Sequence, residues 1–188
     1  HVSKLIIDPN NNNVFYATTQ GATEYTDKVG DGAGVFKSND RGNSWTQINN
    51  GLDSLETNIL TVDPNDSETL YLGTDDDGVY KSTDGGESWK KLTVSSLSKS
   101  FGVGDIIVDP QNSNNIYIGT VDYFRLSESR GVLGDFGVYK STDGGATWEE
   151  FNAGLNHLGV FSLELSEENR ILYAGTRAGG VYWISLDN

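Results

Sequence analysis

The chain has 188 residues, of which 13 are Lys or Arg and 27 are Asp or Glu, a formal net charge of −14. That length supports one domain with its own core, and the acid excess repels phosphate backbones and anionic lipid surfaces, which argues against nucleic acid and such membranes as partners. Cysteine is absent, which excludes disulfides, thiolate metal ligands and Cys nucleophiles.

In chain order, the first strand-like run is Leu5-Ile-Ile-Asp8-Pro9, followed by Val14-Phe-Tyr16-Ala-Thr-Thr19, then Gly34-Val-Phe-Lys-Ser38, then Trp45-Thr-Gln-Ile. The set recurs as Leu60-Thr-Val-Asp63-Pro64, Leu70-Tyr71-Leu-Gly-Thr74, Gly78-Val-Tyr-Lys-Ser82 and Trp89-Lys-Lys-Leu. It recurs again as Ile106-Ile-Val-Asp109-Pro110, Ile116-Tyr117-Ile-Gly-Thr120, Gly137-Val-Tyr-Lys-Ser141 and Trp148-Glu-Glu-Phe. A fourth copy holds three runs, Phe161-Ser-Leu-Glu-Leu-Ser166, Leu172-Tyr173-Ala-Gly-Thr176 and Gly180-Val-Tyr-Trp-Ile-Ser185. These runs are short, rich in Val, Ile, Tyr and Thr, and bounded by Asp-Pro, Asn-rich and Gly-rich segments, which is strand chemistry.

One octapeptide joins the third run to the fourth in each complete copy. It reads Ser38-Asn-Asp40-Arg-Gly42-Asn-Ser-Trp45, Ser82-Thr-Asp84-Gly-Gly86-Glu-Ser-Trp89 and Ser141-Thr-Asp143-Gly-Gly145-Ala-Thr-Trp148. Its Ser and Asp side chains suit bonds to turn amides, its Gly allows positive φ, and its Trp starts the last strand and can cover the turn. Four-stranded antiparallel meanders at this period predict a β-propeller, ahead of a β-solenoid. The expected blades are 1–52, 53–99, 100–155 and 156–188, as one propeller segment. The fourth blade lacks an octapeptide and a last strand, so the expectation is a portion of a larger propeller whose open ends meet further blades or a second copy. A closed ring of four blades is the competing reading. The chain opens with His1 and contains no Met, so its true start is expected upstream or removed. It shows no apolar run of the ~20 residues that span a bilayer, and no signal-peptide pattern.

The octapeptides resemble the Asp-box, or BNR repeat, of sialidases, xyloglucan-active glycosidases, sortilin-type receptors and a photosystem assembly factor. The resemblance spans nearly the whole chain. It implies that Asp40, Trp45, Asp84, Trp89, Asp143 and Trp148 are fold determinants on the face opposite the ligand site, and that the protein works outside the cytoplasm, extracellular or periplasmic. The sialidase Phe-Arg-Ile-Pro motif is missing, as are the xyloglucanase signatures beyond the octapeptides.

The loops between second and third strands are short in copies two and four, and long at 20–33 and 121–136. Long insertions on a rigid scaffold carry binding residues. Tyr25, Tyr123, Phe124, Arg125 and Arg177 are the ligand-binding candidates, because rings stack on sugar faces and charged groups bond hydroxyls. The alternative is that the rings pin the loops. For hydrolysis, which needs two carboxylates, the candidates are Asp105 at the start of an inner strand, Asp122 and Asp135. Asp105 could equally be a solvated channel-lining acid. Asp75 and Asp77 are candidate Ca²⁺ ligands, with a solvated acidic turn as the alternative; otherwise no cofactor is expected. The expected function is non-catalytic recognition or scaffolding, with a glycan or protein surface bound at the long-loop face. The alternative is a glycoside hydrolase of the sialidase or xyloglucanase type.

Overall fold

The computed structural model describes residues 1–21, 32–97, 101–122 and 135–186. Every regular element among them is a β-strand. The first sheet holds β1 (Val2–Asp8), β2 (Asn11–Thr19), β3 (Gly34–Ser38) and β4 (Thr46–Gln47). The second holds β5 (Thr57–Asp63), β6 (Asp66–Thr74), β7 (Val79–Ser82) and β8 (Lys90–Lys91), and the third β9 (Gly102–Val108), β10 (Ile116–Val121), β11 (Val138–Ser141) and β12 (Glu149–Glu150). The fourth has three strands, β13 (Val160–Ser166), β14 (Ile171–Thr176) and β15 (Gly180–Ser185). Each sheet is an antiparallel meander in sequence order, and consecutive sheets meet face to face chiefly through their first strands. This is a β-propeller arc, as the repeat predicts.

Register makes the copies superimposable. Leu5, Leu60, Ile106 and Leu163 pair with Ala17, Leu72, Ile118 and Ala174, and every first strand carries an irregularity in its first half. One face of each of sheets two, three and four packs on the sheet before it. Leu60, Val62, Leu70, Leu72 and Tyr80 of sheet two meet Ile6, Tyr16 and Val35 of sheet one. The same alternation puts Ile106, Val108, Ile116, Ile118 and Tyr139 against Ile59, Tyr71 and Val79, then Leu163, Leu165, Leu172 and Ala174 against Tyr117 and Val138. These apolar sandwiches are the core, and burial at ~25 cal/mol per Å² makes them the main source of stability.

The Gly of the Tyr-x-Gly-Thr motif in sheets two and three is required by this packing. A Cβ on Gly73 would lie 2.7 Å from Val103, and one on Gly119 2.7 Å from Val160, each a residue of the following sheet. Where sheet one has Thr18 instead, sheet two offers Thr57 rather than Val, and polar bonds replace the apolar nesting, with Thr18 donating to the Asn58 carbonyl and Thr57 to that of Thr19.

The octapeptides form the turns between third and fourth strands. In each, the Ser hydroxyl donates to the Asp carboxylate and accepts the N–H of the glycine four residues on, while the Asp accepts the N–H and hydroxyl of the residue four positions after it. Those bonds, led by that from the Ser44, Ser88 or Thr147 hydroxyl, hold Asp40, Asp84 and Asp143 down at about 2. The tryptophans depart from the expectation. The last strands begin one residue after them and run only two residues. Trp45 and Trp148 cap their own turns by donating to Gly42 and Gly145 carbonyls, but Trp89 reaches the preceding sheet, donating to Ile48 at 2.8 Å. Trp89 is 5% exposed and Trp45 39%.

Turns also lock successive sheets. Lys37 donates to the Gly85 carbonyl at 2.9 Å and Lys81 to that of Gly144 at 3.0 Å. Arg41 holds the corresponding place in sheet one, where its N–H bonds Asn13 as those of Gly85 and Gly144 bond Glu68 and Asn114. Its φ of 60° matches the 66° and 70° of those glycines, at a cost of roughly 1–2 kcal/mol for a residue with a Cβ.

The closed ring of four is overturned. Leu5 and Ile7 on the first sheet are 57% and 51% exposed, and Val181 and Trp183 on the fourth are 71% and 66% exposed, so neither outer face covers the other.

Candidate functional site

The loops between second and third strands emerge on one rim, opposite the octapeptide turns. The motif Thr builds the root of each loop. Thr19, Thr74, Thr120 and Thr176 donate their hydroxyls to the carbonyls of Gly34, Gly78, Gly137 and Gly180, and accept N–H bonds from Ala33, Asp77, Phe136 and Gly179. One hydroxyl therefore closes each root regardless of loop length.

Each long loop has a second clamp supplied by its neighbour sheet. Glu56, just before β5, accepts the N–H groups of Gly21 and Gly32 with its two oxygens, both at 2.7 Å, and so ties the two ends of the first long loop together. Beside it Asp75 is buried and accepts from Gln20 at 2.7 Å. Burial, with help from the charges of Glu56 and Asp76, pushes its carboxyl up to about 7 against the Gln20 bond. At the second long loop, Asp135 accepts the Asp122 N–H at 2.8 Å, and Arg177 donates to the Asp122 carbonyl. The Arg177 guanidinium then lies 5.2 Å from the centroid of the Phe161 ring, which is 40% exposed. Arg177 and Phe161 thus form a half-open planar surface at the foot of that loop.

Of the sequence candidates, Tyr25, Tyr123, Phe124 and Arg125 lie outside the described residues. Arg177 is on the rim as expected. Asp122 and Asp135 come together, but through a backbone bond. Asp105 is no free acid: its oxygens accept the N–H groups of Ile106 and, across the sheet boundary, Leu163, at 2.9 and 2.8 Å. Burial raises its pKa and those two bonds oppose the rise. It works as a staple between sheets three and four. Asp75 and Asp77 diverge: Asp77 accepts from Tyr80 and pairs with Lys91 at 2.5 Å, while Asp75 turns inward to Gln20. Among the described residues no group of three His, Cys, Asp or Glu side chains is disposed to hold a metal ion.

Phe161, whose ring lies against Arg177 on this rim, is not among the candidates read from the sequence. It occupies the irregular position of its strand, where the other first strands have Ser3, Asn58 and Gly104. An aromatic at that register was the available signal.

A family model described as Sortilin-Vps10 (sortilin, neurotensin receptor 3) matches residues 33–181. The chain belongs to the Sortilin-Vps10 family. This Sortilin-Vps10 chain is 36% identical over 96 residues to Xyloglucanase Xgh74A of Acetivibrio thermocellus, a match that takes in 46% of the chain and 11% of the relative. It superposes on an ancestral GH74 enzyme with a TM-score of 0.74 at 25% identity, covering 97% of the chain and 22% of that structure. On the Niastella koreensis GH74 enzyme the TM-score is 0.69 at 26% identity, with 99% and 29% covered. The Sortilin-Vps10 chain therefore spans about a tenth of the curated relative and between a fifth and a third of these structures.

Proposed function

We propose that the chain is a propeller segment that recognises a branched β-glucan of the xyloglucan class on the rim bearing the long-loop roots, outside the cytoplasm. The octapeptides are read as Asp-box turns, and 1–52, 53–99, 100–155 and 156–188 as the blades. The curated relative that is a xyloglucanase supports the ligand class. The carrying observation is the Arg177–Phe161 surface, where a pyranose face can stack while the guanidinium bonds its hydroxyls. The neighbouring acids favour recognition over hydrolysis. Glu56, Asp105 and Asp135 each accept backbone N–H groups, so they act as fixed struts rather than as a paired acid and nucleophile.

Hydrolysis is the second reading, favoured by the xyloglucanase relatives. Affinity electrophoresis in xyloglucan gels, with unbranched cellulose-type oligosaccharides as competitors, tests both. Retardation by xyloglucan without release of reducing ends is the expected result. Release of reducing ends makes the chain a hydrolase, and migration unaffected by any β-glucan ends the glycan reading.

A further inference from the structure

The two uncovered sheet faces hold six of the nine large apolar side chains exposed among the described residues: Val2, Leu5, Ile7 and Trp45 on the first sheet and its turn, Val181 and Trp183 on the fourth. By register, Leu5 and Ile7 occupy the places that Leu60 and Val62 fill where sheet two packs on sheet one. Val181 and Trp183 stand where Val79 and Lys81 face sheet three. The fourth sheet thus ends in the kind of face that each internal junction covers with a face like that of sheet one.

Two departures from the repeat match each other across these faces. Sheets one and two present Lys37 and Lys81 to the carbonyl of a turn glycine in the next sheet. Sheet four has Trp183 at that position, and sheet one has Arg41 in place of the glycine. Lysine against Arg41 would repel, whereas an indole face attracts a guanidinium. The nesting positions agree as well. Gly73 and Gly119 receive Val103 and Val160, while at the first junction Thr18 donates to the Asn58 carbonyl and Thr57 to that of Thr19. Sheet four keeps the glycine, Gly175, and sheet one carries the valine, Val2, at the matching registers.

We propose that a second copy of this chain covers both faces, its first sheet on the fourth sheet of its partner and the reverse, with Trp183 on Arg41 and Val2 over Gly175. The contact is head-to-tail, and two such contacts about a two-fold axis close a ring of eight sheets, within the usual range of ~4–8 blades.

Sedimentation equilibrium of the 188-residue chain across about 1–100 μM, with its lysine and glycine variants, is the test. The parent should reach twice its 20.4 kDa. Trp183→Lys, which sets Lys against Arg41, should weaken pairing at least ~10-fold, about 1.4 kcal/mol. Adding Arg41→Gly to it rebuilds the internal junction and should recover most of the loss. Val2→Lys, an exposed change, should also yield monomer. A monomeric parent at the highest concentration would give these faces to other segments of the same polypeptide and overturn the proposal. So would higher open polymers, or a double variant no better than Trp183→Lys.

Discussion

Residue positions in this repeat are interpretable because four copies supply their own controls. Trp89 and Trp45 occupy one motif position, yet only Trp89 has a sheet in front of it. Trp89→Ala should cost about 3–5 kcal/mol, as for other large buried aromatics, and Trp45→Ala in the dilute monomer about 1 kcal/mol or less, both read by urea denaturation. Acids divide by environment in the same way. The turn carboxylates at about 2 lie below the ordinary ~3.9. Their contribution is fully present above pH ~4 and is lost as the pH falls toward 2. Asp75 has the opposite sign, since its folded value of about 7 exceeds the unfolded one. It costs nothing below pH ~4, and the penalty grows as pH rises to 7. Asp75→Asn should therefore match the parent near pH 4 and exceed it at pH 8 by roughly 1–3 kcal/mol, measured by denaturation at both pH values.

At the scale of elements, the second strands show how a tertiary need is written into a local motif. Tyr-x-Gly-Thr is legible as a strand from sequence, but its Gly and Thr acquire reasons only from the fold. The Gly accepts the next sheet's valine, and the Thr hydroxyl closes a loop root. Gly73→Ala should cost about 1–3 kcal/mol by crowding Val103, and the loss should shrink in a Gly73→Ala, Val103→Ala double variant. Strands, turns and the glycine at the start of each third strand were readable because short-range chemistry dictates them. The two-residue fourth strands were not, because Thr46–Gln47 and its counterparts gain their place by pairing with only two residues. The inward roles of Asp105 and Asp75 were equally hidden. A carboxylate reads as solvated until the backbone N–H groups or amide that hold it are seen, and those of Asp105 include one 58 residues away.

For the molecule as a whole, the two rims of the arc differ in what they hold. The octapeptide rim fixes sheet to sheet through Lys37 on Gly85, Lys81 on Gly144 and the buried Asp109, whose bonds from Arg170 at 2.9 and 2.6 Å outweigh burial and leave its pKa lowered. The opposite rim holds loop roots rigidly and offers Arg177 and Phe161 to solvent. The family resemblance implies this division, and the hydrogen bonds of the turns run within each turn and to neighbouring strands; on the rim proposed for binding, Phe161 was not legible, since it lies in a strand rather than in a long loop. The most direct measurement is a paired comparison of xyloglucan dissociation constant and melting temperature for Phe161→Ala, Arg177→Ala and Asp84→Ala. The first two should lower affinity several-fold or more with the melting temperature little changed, while Asp84→Ala should lower the melting temperature and leave affinity intact. Loss of xyloglucan affinity on changing Asp84 alone in the still-folded chain, with Phe161 and Arg177 dispensable, would contradict the account.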